Sequence, residues 1–333
     1  MDKLQDWLRL ATAQHASDLH LRCGQPPWLR RHGQMVRLDA DPIEHQQLLE
    51  MLHAELEPRA WQRWREQGEV DCGLQFPLLG RVRLNAFRER QGPAAVLRLI
   101  PPEIPPLAQL AAPPLLAELA CASHGLVLVC GPTGSGKSTT LAALLDCRNA
   151  SQAGHILTIE DPIEFVHRSQ RSLISQREIG TCTPDCAAAL RAALRQDPDC
   201  LMLGELRDLD SIRIALSAAE TGHLVLATLH TASAPQAIDR LIDVFPGGEK
   251  DLVRVLLSQA LLAVVAQTLL PRADGRGRVA AFELMLATPA VRNLIREHKT
   301  AQLVSVLQTS AAAGMQTMAQ SLQQLRQQGL IAA

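Results

Sequence analysis

Residues 131–138 read Gly131-Pro132-Thr133-Gly134-Ser135-Gly136-Lys137-Ser138, a complete G-x-x-x-x-G-K-S phosphate-binding loop. An apolar run from Gly125 to Cys130 leads into it, and a helix-like run from Ser138 to Leu145 leads out. The loop therefore stands between a strand and a helix N-terminus, where backbone N–H groups and the helix dipole meet an anion. Its glycines let those N–H groups turn into a concave nest without Cβ clashes. Lys137 is expected to reach the β- and γ-phosphates and the Ser138 hydroxyl to hold Mg²⁺, with Gly131 through Thr139 forming the nucleotide-binding set. The chain has only four lysines, Lys3, Lys137, Lys250 and Lys299. One of them falls where a compact, flexible point charge is wanted and a planar guanidinium fits badly. A chance match in such a chain is roughly one in a thousand, so a nucleoside triphosphate ligand is expected.

Composition narrows what the bound triphosphate is used for. With 333 residues the chain has room for two or three domains. A formal charge of −1 gives no electrostatic footprint for nucleic acid. Aromatic content of 3%, without a single Tyr, gives few platforms for stacking bases. The start Met1-Asp2-Lys3-Leu4-Gln5-Asp6 has no signal-peptide pattern. The most apolar stretch, 256–270, is interrupted by Ser258, Gln259, Gln267 and Thr268 and is too short and polar to span a bilayer. A cytoplasmic location without direct membrane insertion is expected, any membrane role passing through a partner. The eight cysteines form no C-x-x-C pair and read as reduced thiols in or near the core.

Residues 1–100 read as a small α/β domain. Helix over 3–16, a strand over 18–22, a hairpin around His32-Gly33 and a polar helical stretch over 42–67 precede three strands over 70–76, 81–88 and 94–100. Pro101-Pro102-Glu103-Ile104-Pro105-Pro106 is a stiff boundary, and the linker runs to Pro113-Pro114. From Leu115 to about Leu270 strands alternate with helices, as a mostly parallel sheet requires, with strands over 126–130, 156–159, 200–203 and 224–229. Thr183-Pro184-Asp185 is expected to open a helix with Thr183 as N-cap. Beyond Pro271 the chain is expected to turn helical, over 271–333.

Ligands of open parallel sheets bind outside the carboxyl ends of the strands, and each strand after the loop ends in reactive residues. Glu160, Asp161 and Glu164 lie within five residues after one strand, a pattern suited to Mg²⁺ or to activating water. Leu201-Met202-Leu203-Gly204-Glu205 is an apolar strand ending in an acid, the Walker B pattern, which puts Glu205 near Mg²⁺. His223 and His230 bracket another strand, with His230 at the carboxyl end where it can sense the γ-phosphate.

In order and spacing, these motifs resemble the Walker A, Asp box, Walker B and His box of the type II/IV secretion ATPase superfamily. Ala16-Ser17-Asp18-Leu19-His20-Leu21 resembles its N-terminal signature, and Gly314-Met315-Gln316-Thr317-Met318 its last-helix motif. Ala290 to Glu297 is similar to the C-terminal motif of the pilus-retraction (twitching-motility) branch, with Val291 in place of Ile. The resemblance implies a RecA-like P-loop NTPase core, a PAS-like N-terminal domain and a helical C-terminal region. It implies a homohexameric ring that hydrolyses MgATP between its two domains and pulls on a pilus through an inner-membrane platform protein. Glu164 then becomes the general base, with Glu160 as the alternative. Glu205 and Ser138 serve Mg²⁺, and His230 couples phosphate state to shape. The arginine finger comes from the N-terminal domain, where Arg81, Arg83 and Arg98 are the candidates. The extension and secretion branches usually carry a four-cysteine zinc module, for which this chain has no C-x-x-C pairs. A pilus-extension or secretion ATPase, a nucleic-acid motor and a non-catalytic regulator remain the alternatives.

Overall fold

The computed structural model describes residues 3–31, 33–77, 79–101, 103–275 and 277–332, so His32 of the expected hairpin and Pro102 of the proline boundary lie outside the described residues. The chain forms two compact units, Met1–Glu103 with Asp161–Val166, and Ile104–Glu160 with His167–Ala333.

The first unit holds α1 (Lys3–Ala13), β1 (Asp18–Arg22), β2 (Trp28–Arg31), β3 (Gln34–Arg37), α2 (His45–Glu55), α3 (Pro58–Gln67), β4 (Glu69–Phe76), β5 (Gly80–Glu89) and β6 (Gly92–Leu99). Its six strands form one antiparallel sheet in the order β3-β2-β1-β6-β5-β4. Alternation along β5 buries Val82, Leu84 and Ala86 and leaves Arg81, Arg83 and Asn85 on the other face. The stretch over 42–67 is two helices rather than one. Pro58 supplies no N–H and holds Glu57 extended at φ −58°, ψ 152°, which ends one helix and starts the next.

The second unit is built on a seven-stranded sheet. In chain order it holds α4 (Leu115–Ala120), β7 (Gly125–Cys130), α5 (Lys137–Ser151), β8 (His155–Glu160), β9 (Leu173–Glu178), α6 (Cys186–Ala193), β10 (Cys200–Leu203), α7 (Leu209–Glu220), β11 (Leu224–Leu229), α8 (Ala234–Asp243), α9 (Lys250–Ala260), β12 (Leu261–Pro271) and β13 (Arg278–Leu286). Three helices close it: α10 (Pro289–Arg296), α11 (Leu303–Thr309) and α12 (Met318–Gln327). The order is β13-β12-β7-β11-β10-β8-β9, parallel throughout except that β13 runs against β12. Both faces of the sheet are covered, so its central strands read as unbroken apolar runs. Along β7 the pleat splits the run: Leu126, Leu128 and Cys130 join the core under α6–α9, and Val127 and Val129 join the core with α4 and α5.

Three local expectations differ from the structure. Segment 278–286, read as helical, is strand β13. Its Ala, Leu and Met residues favour helix, and pairing with β12 across nine positions outweighs that preference. Strand β9 was not anticipated, because its polar Leu-Ile-Ser-Gln-Arg-Glu run is a half-buried edge. Helix α6 is capped by Asp185, whose carboxylate accepts from the Ala188 N–H at 2.7 Å, and not by Thr183, which is bridged to Ile179.

The cysteines are all free, and Cys182 is exposed rather than in the core. Burial pushes the thiols of Cys130 and Cys200 up to about 12. Iodoacetamide at pH 8 is therefore expected to alkylate Cys182 in the native protein. Cys130 and Cys200 should react only after denaturation, as read by peptide mass spectrometry.

Candidate functional site

The carboxyl ends of four adjacent parallel strands build the site in the second unit. Register aligns them: Leu203 of β10 pairs with Ile159 of β8 and Ala227 of β11, and Leu229 of β11 pairs with Cys130 of β7. Glu160, Glu205, His230 and the loop after Cys130 therefore leave the sheet at the same edge.

The loop's backbone has the left-handed turns that its glycines allow, with φ +76° at Gly134 and +90° at Gly136. At Gly131, φ is +151°, and an added Cβ would come within 2.3 Å of the Gln267 carbonyl oxygen, so no side chain fits. Lys137 starts α5 and is 8% exposed. Its Nζ donates to the carbonyls of Gly131 at 2.8 Å and Pro132 at 3.0 Å. The hydroxyl of Ser135 is buried without a partner among the described residues, whereas Ser138 is exposed. A nest of turned backbone, a buried ammonium and an orphaned buried hydroxyl suit a phosphate.

Gln267 holds the loop, although in the sequence it is only a polar break in an apolar stretch. It sits in β12 and is buried, accepting from the Thr140 hydroxyl at 2.7 Å and donating to the Ser135 carbonyl at 2.8 Å. A polar side chain inside a strand buried on both faces was the available signal.

From the loop a polar chain runs along the strand ends. Nζ of Lys137 is 3.5 Å from His230 Nδ1, His230 Nε2 is 3.3 Å from Glu205 Oε2, and Arg207 Nη2 is 2.6 Å from that same oxygen. Glu205, Arg207, His230 and Arg240 line a cavity of about 380 Å³. Burial alone would raise the Glu205 carboxyl. The Arg207 hydrogen bond and charge, with His230, outweigh it and hold Glu205 below its ordinary range. The Thr228 hydroxyl donates to the Gly204 carbonyl, fixing the turn that presents Glu205. His223 bonds the Ala218 carbonyl through Nδ1 at 3.1 Å and serves the end of α7.

The two Asp-box glutamates fall in different units. Glu160 ends β8, is buried, and accepts from Thr158 at 2.6 Å and Gln176 at 3.0 Å. Glu164 belongs to the segment Asp161–Val166, which packs with the first unit. There Arg83 Nη1 lies 3.6 Å from its Oε1. Arg83 also forms a fork with Asp71, at 3.0 and 3.2 Å from Nε and 2.7 Å from Nη2. That hydrogen bond, against burial, raises the already high Arg83 pKa. Arg81 Nε donates to the Ile163 carbonyl at 2.6 Å. Arg98 pairs opposite Arg83 in the sheet, but its Nε is committed to the buried Asp18 at 2.9 Å. Asp71 is a second residue absent from the sequence reading, since an acid in a strand gave no sign of its partner.

A family model described as type II/IV secretion system protein matches residues 4–331. The chain is 51% identical over 306 residues to a twitching motility protein of Neisseria gonorrhoeae, spanning 92% of this chain and 82% of that protein. It is 48% identical over 328 residues to the type IV pilus retraction ATPase PilT of Pseudomonas aeruginosa, spanning 98% and 95%. The crystal structure of a pilus retraction motor, PilT with bound ADP, matches with a TM-score of 0.89 at 43% identity, covering 98% of this chain and 94% of that one.

The lowered Glu205 pKa has a pH signature. Its folded-state stabilisation is complete above the ordinary carboxylate value and is lost only as pH falls through the lowered folded value. Removing the guanidinium in Arg207→Ala should move the Glu205 midpoint upward, as followed by carboxyl-carbon NMR of labelled protein.

Proposed function

The chain belongs to the type II/IV secretion system protein family, and from that premise we propose that it is a P-loop ATPase motor driving type IV pilus retraction. The observation that supports this most is near-full-length identity to a twitching motility protein and a pilus retraction ATPase. The loop and the strand-end groups beside it supply a chemistry suited to that role.

In this reading the backbone N–H groups of Thr133 through Thr139 and the Lys137 ammonium bind the phosphates of ATP, which requires Lys137 to leave the loop carbonyls. Ser138 and Glu205 would hold Mg²⁺, which would supply charge neutralisation on the phosphates. Among the described residues no cluster of three His, Cys, Asp or Glu side chains has metal-site geometry. Glu164 is the general base that orients the attacking water. Glu160 fits this less well, because Thr158 and Gln176 already occupy its side chain. His230, in reach of both Lys137 and Glu205, reports phosphate state to the sheet edge.

Arg83 is the arginine finger, offered to a neighbouring subunit of a homohexamer. Arg98, whose Nε is bonded to buried Asp18, is the alternative. The division we assign is a PAS-like domain over 1–100, a linker over 101–114, the RecA-like ATPase domain over 115–270 and a C-terminal region over 271–333. Among the described residues no helix is long and apolar enough to cross a membrane. In this reading force passes to an inner-membrane platform protein, with the motor on the cytoplasmic side.

Arg83→Ala should keep nucleotide affinity and lower turnover by about 10³-fold; wild-type turnover would remove Arg83 as the finger. Glu164→Gln should retain bound ATP through gel filtration, whereas near-normal hydrolysis would shift the base to Glu160. Deletion in the host, read as a count of surface pili, separates the directions of work. Retraction predicts excess pili, and an extension motor predicts their loss.

A further inference from the structure

The segment Asp161–Val166, which carries Glu164, packs with the first unit, while the chain on either side of it belongs to the second. The second unit therefore releases the chain after Glu160 and takes it up again at His167. These two residues are the ends of one excursion, and a single side chain joins them. Gln176, half-buried in edge strand β9, donates from Nε2 to Glu160 Oε1 at 3.0 Å and accepts at Oε1 from the His167 backbone N–H at 2.8 Å.

The orientation of this amide follows from its partners. A backbone N–H can only donate, so the amide oxygen turns to His167 and the NH₂ group turns to the Glu160 carboxylate. Register places Gln176 beside Thr158. Thr158 and Glu160 share one face of β8, and the Thr158 hydroxyl donates to the same Glu160 oxygen at 2.6 Å. Beyond His167 the returning chain is tied to α5. Asn149, fully buried in that helix, donates to the Arg168 carbonyl at 2.8 Å and accepts from the Gln170 N–H at 3.0 Å. Asn149 thus fastens the returning chain to the helix that begins at Lys137, and Gln176 fastens it to the strand it left. Glu164 stands three residues before His167. Three residues of backbone reach at most about 11 Å, so the held ends limit the space that Glu164 can search.

We propose that Gln176 is a positioning residue of the ATPase site, a role that rests on the reading of Glu164 as the group that orients the attacking water. By bridging Glu160 and His167 it closes the base of the excursion and narrows the range open to the Glu164 carboxylate. Gln176 itself has no assigned contact with the nucleotide. A general base works only from a near-attack geometry, and a misplacement of about 1 Å costs on the order of 10²-fold in rate. The effect of Gln176 is therefore on turnover and not on nucleotide binding.

The full chain is to be compared with two variants. Gln176→Met keeps the side-chain length and loses both bonds, and Gln176→Asn keeps the amide but is one methylene too short to reach both ends. Hydrogen–deuterium exchange is read over peptides covering 161–168 and 131–140, and kcat for ATP hydrolysis is read beside the Kd of a fluorescent ADP analogue. Both variants should exchange at least about tenfold faster over 161–168 and lose about 10- to 100-fold in kcat. Exchange over 131–140 and ADP affinity should stay at wild-type values. Wild-type exchange over 161–168 would overturn the bridge. Faster exchange throughout the second unit, or a matching loss of ADP affinity, would mean general destabilisation and overturn the positioning role. Faster exchange over 161–168 with wild-type kcat would also overturn it, provided that Glu164→Gln abolishes hydrolysis. Normal hydrolysis by Glu164→Gln would instead remove the reading of Glu164, and with it the positioning role, while exchange over 161–168 still decides the bridge.

Discussion

Two buried polar side chains hold the phosphate loop in shape, and the rest of the site is arranged around that loop. Lys137 satisfies the carbonyls of Gly131 and Pro132 from within, and Gln267 ties Ser135 and Thr140 together from β12. Because Lys137 leaves its carbonyls to meet a phosphate, it is the Gln267 tie that holds the loop, with its left-handed turns at Gly134 and Gly136, before a ligand arrives. Such preorganisation matters because a mobile loop would lose in ordering entropy part of what phosphate binding gains. Gln267 achieves this from strand β12, the neighbour of β7 on the side away from β11. The sheet order is thus part of the site, since it brings a polar residue 130 positions along the chain from Lys137 under the loop.

The same sheet gathers the acids and the histidine. Because β7, β11, β10 and β8 are adjacent and parallel, groups that follow each strand share one edge without any further folding device. The chain Lys137–His230–Glu205–Arg207 then links the loop's ammonium to a strand-end carboxylate through a single imidazole. In the first unit a second charged pattern lies across β1, β6, β5 and β4. Arg98 and Arg83 face each other at its centre and Asp18 and Asp71 flank them, so each guanidinium has its own carboxylate and a defined direction.

Much of this was legible in the sequence because it rests on local pattern. The loop, the buried strands after it and the residues at their ends were read from apolar runs and short motifs, and the structure has each of those strands within a residue of the expected bounds. What escaped was set by pairing and by partners that local pattern does not show. Strand β13 looks helical by residue preference and becomes a strand only because β12 is there to pair with it. Edge strand β9 has too few apolar residues to announce itself, and Asp185 rather than Thr183 caps α6 because Thr183 is held by Ile179. Gln267 and Asp71 were visible as polar residues in strands, but their roles depend on Ser135, Thr140 and Arg83, whose positions only the assembled sheets define.

In the proposed function the loop binds MgATP through Lys137, and hydrolysis there powers the motor. Phosphate release by the purified chain, with and without Mg²⁺, should depend on Mg²⁺ and fall by at least about 10²-fold in Lys137→Ala. Release by Lys137→Ala at the wild-type rate would rule out that role for the loop.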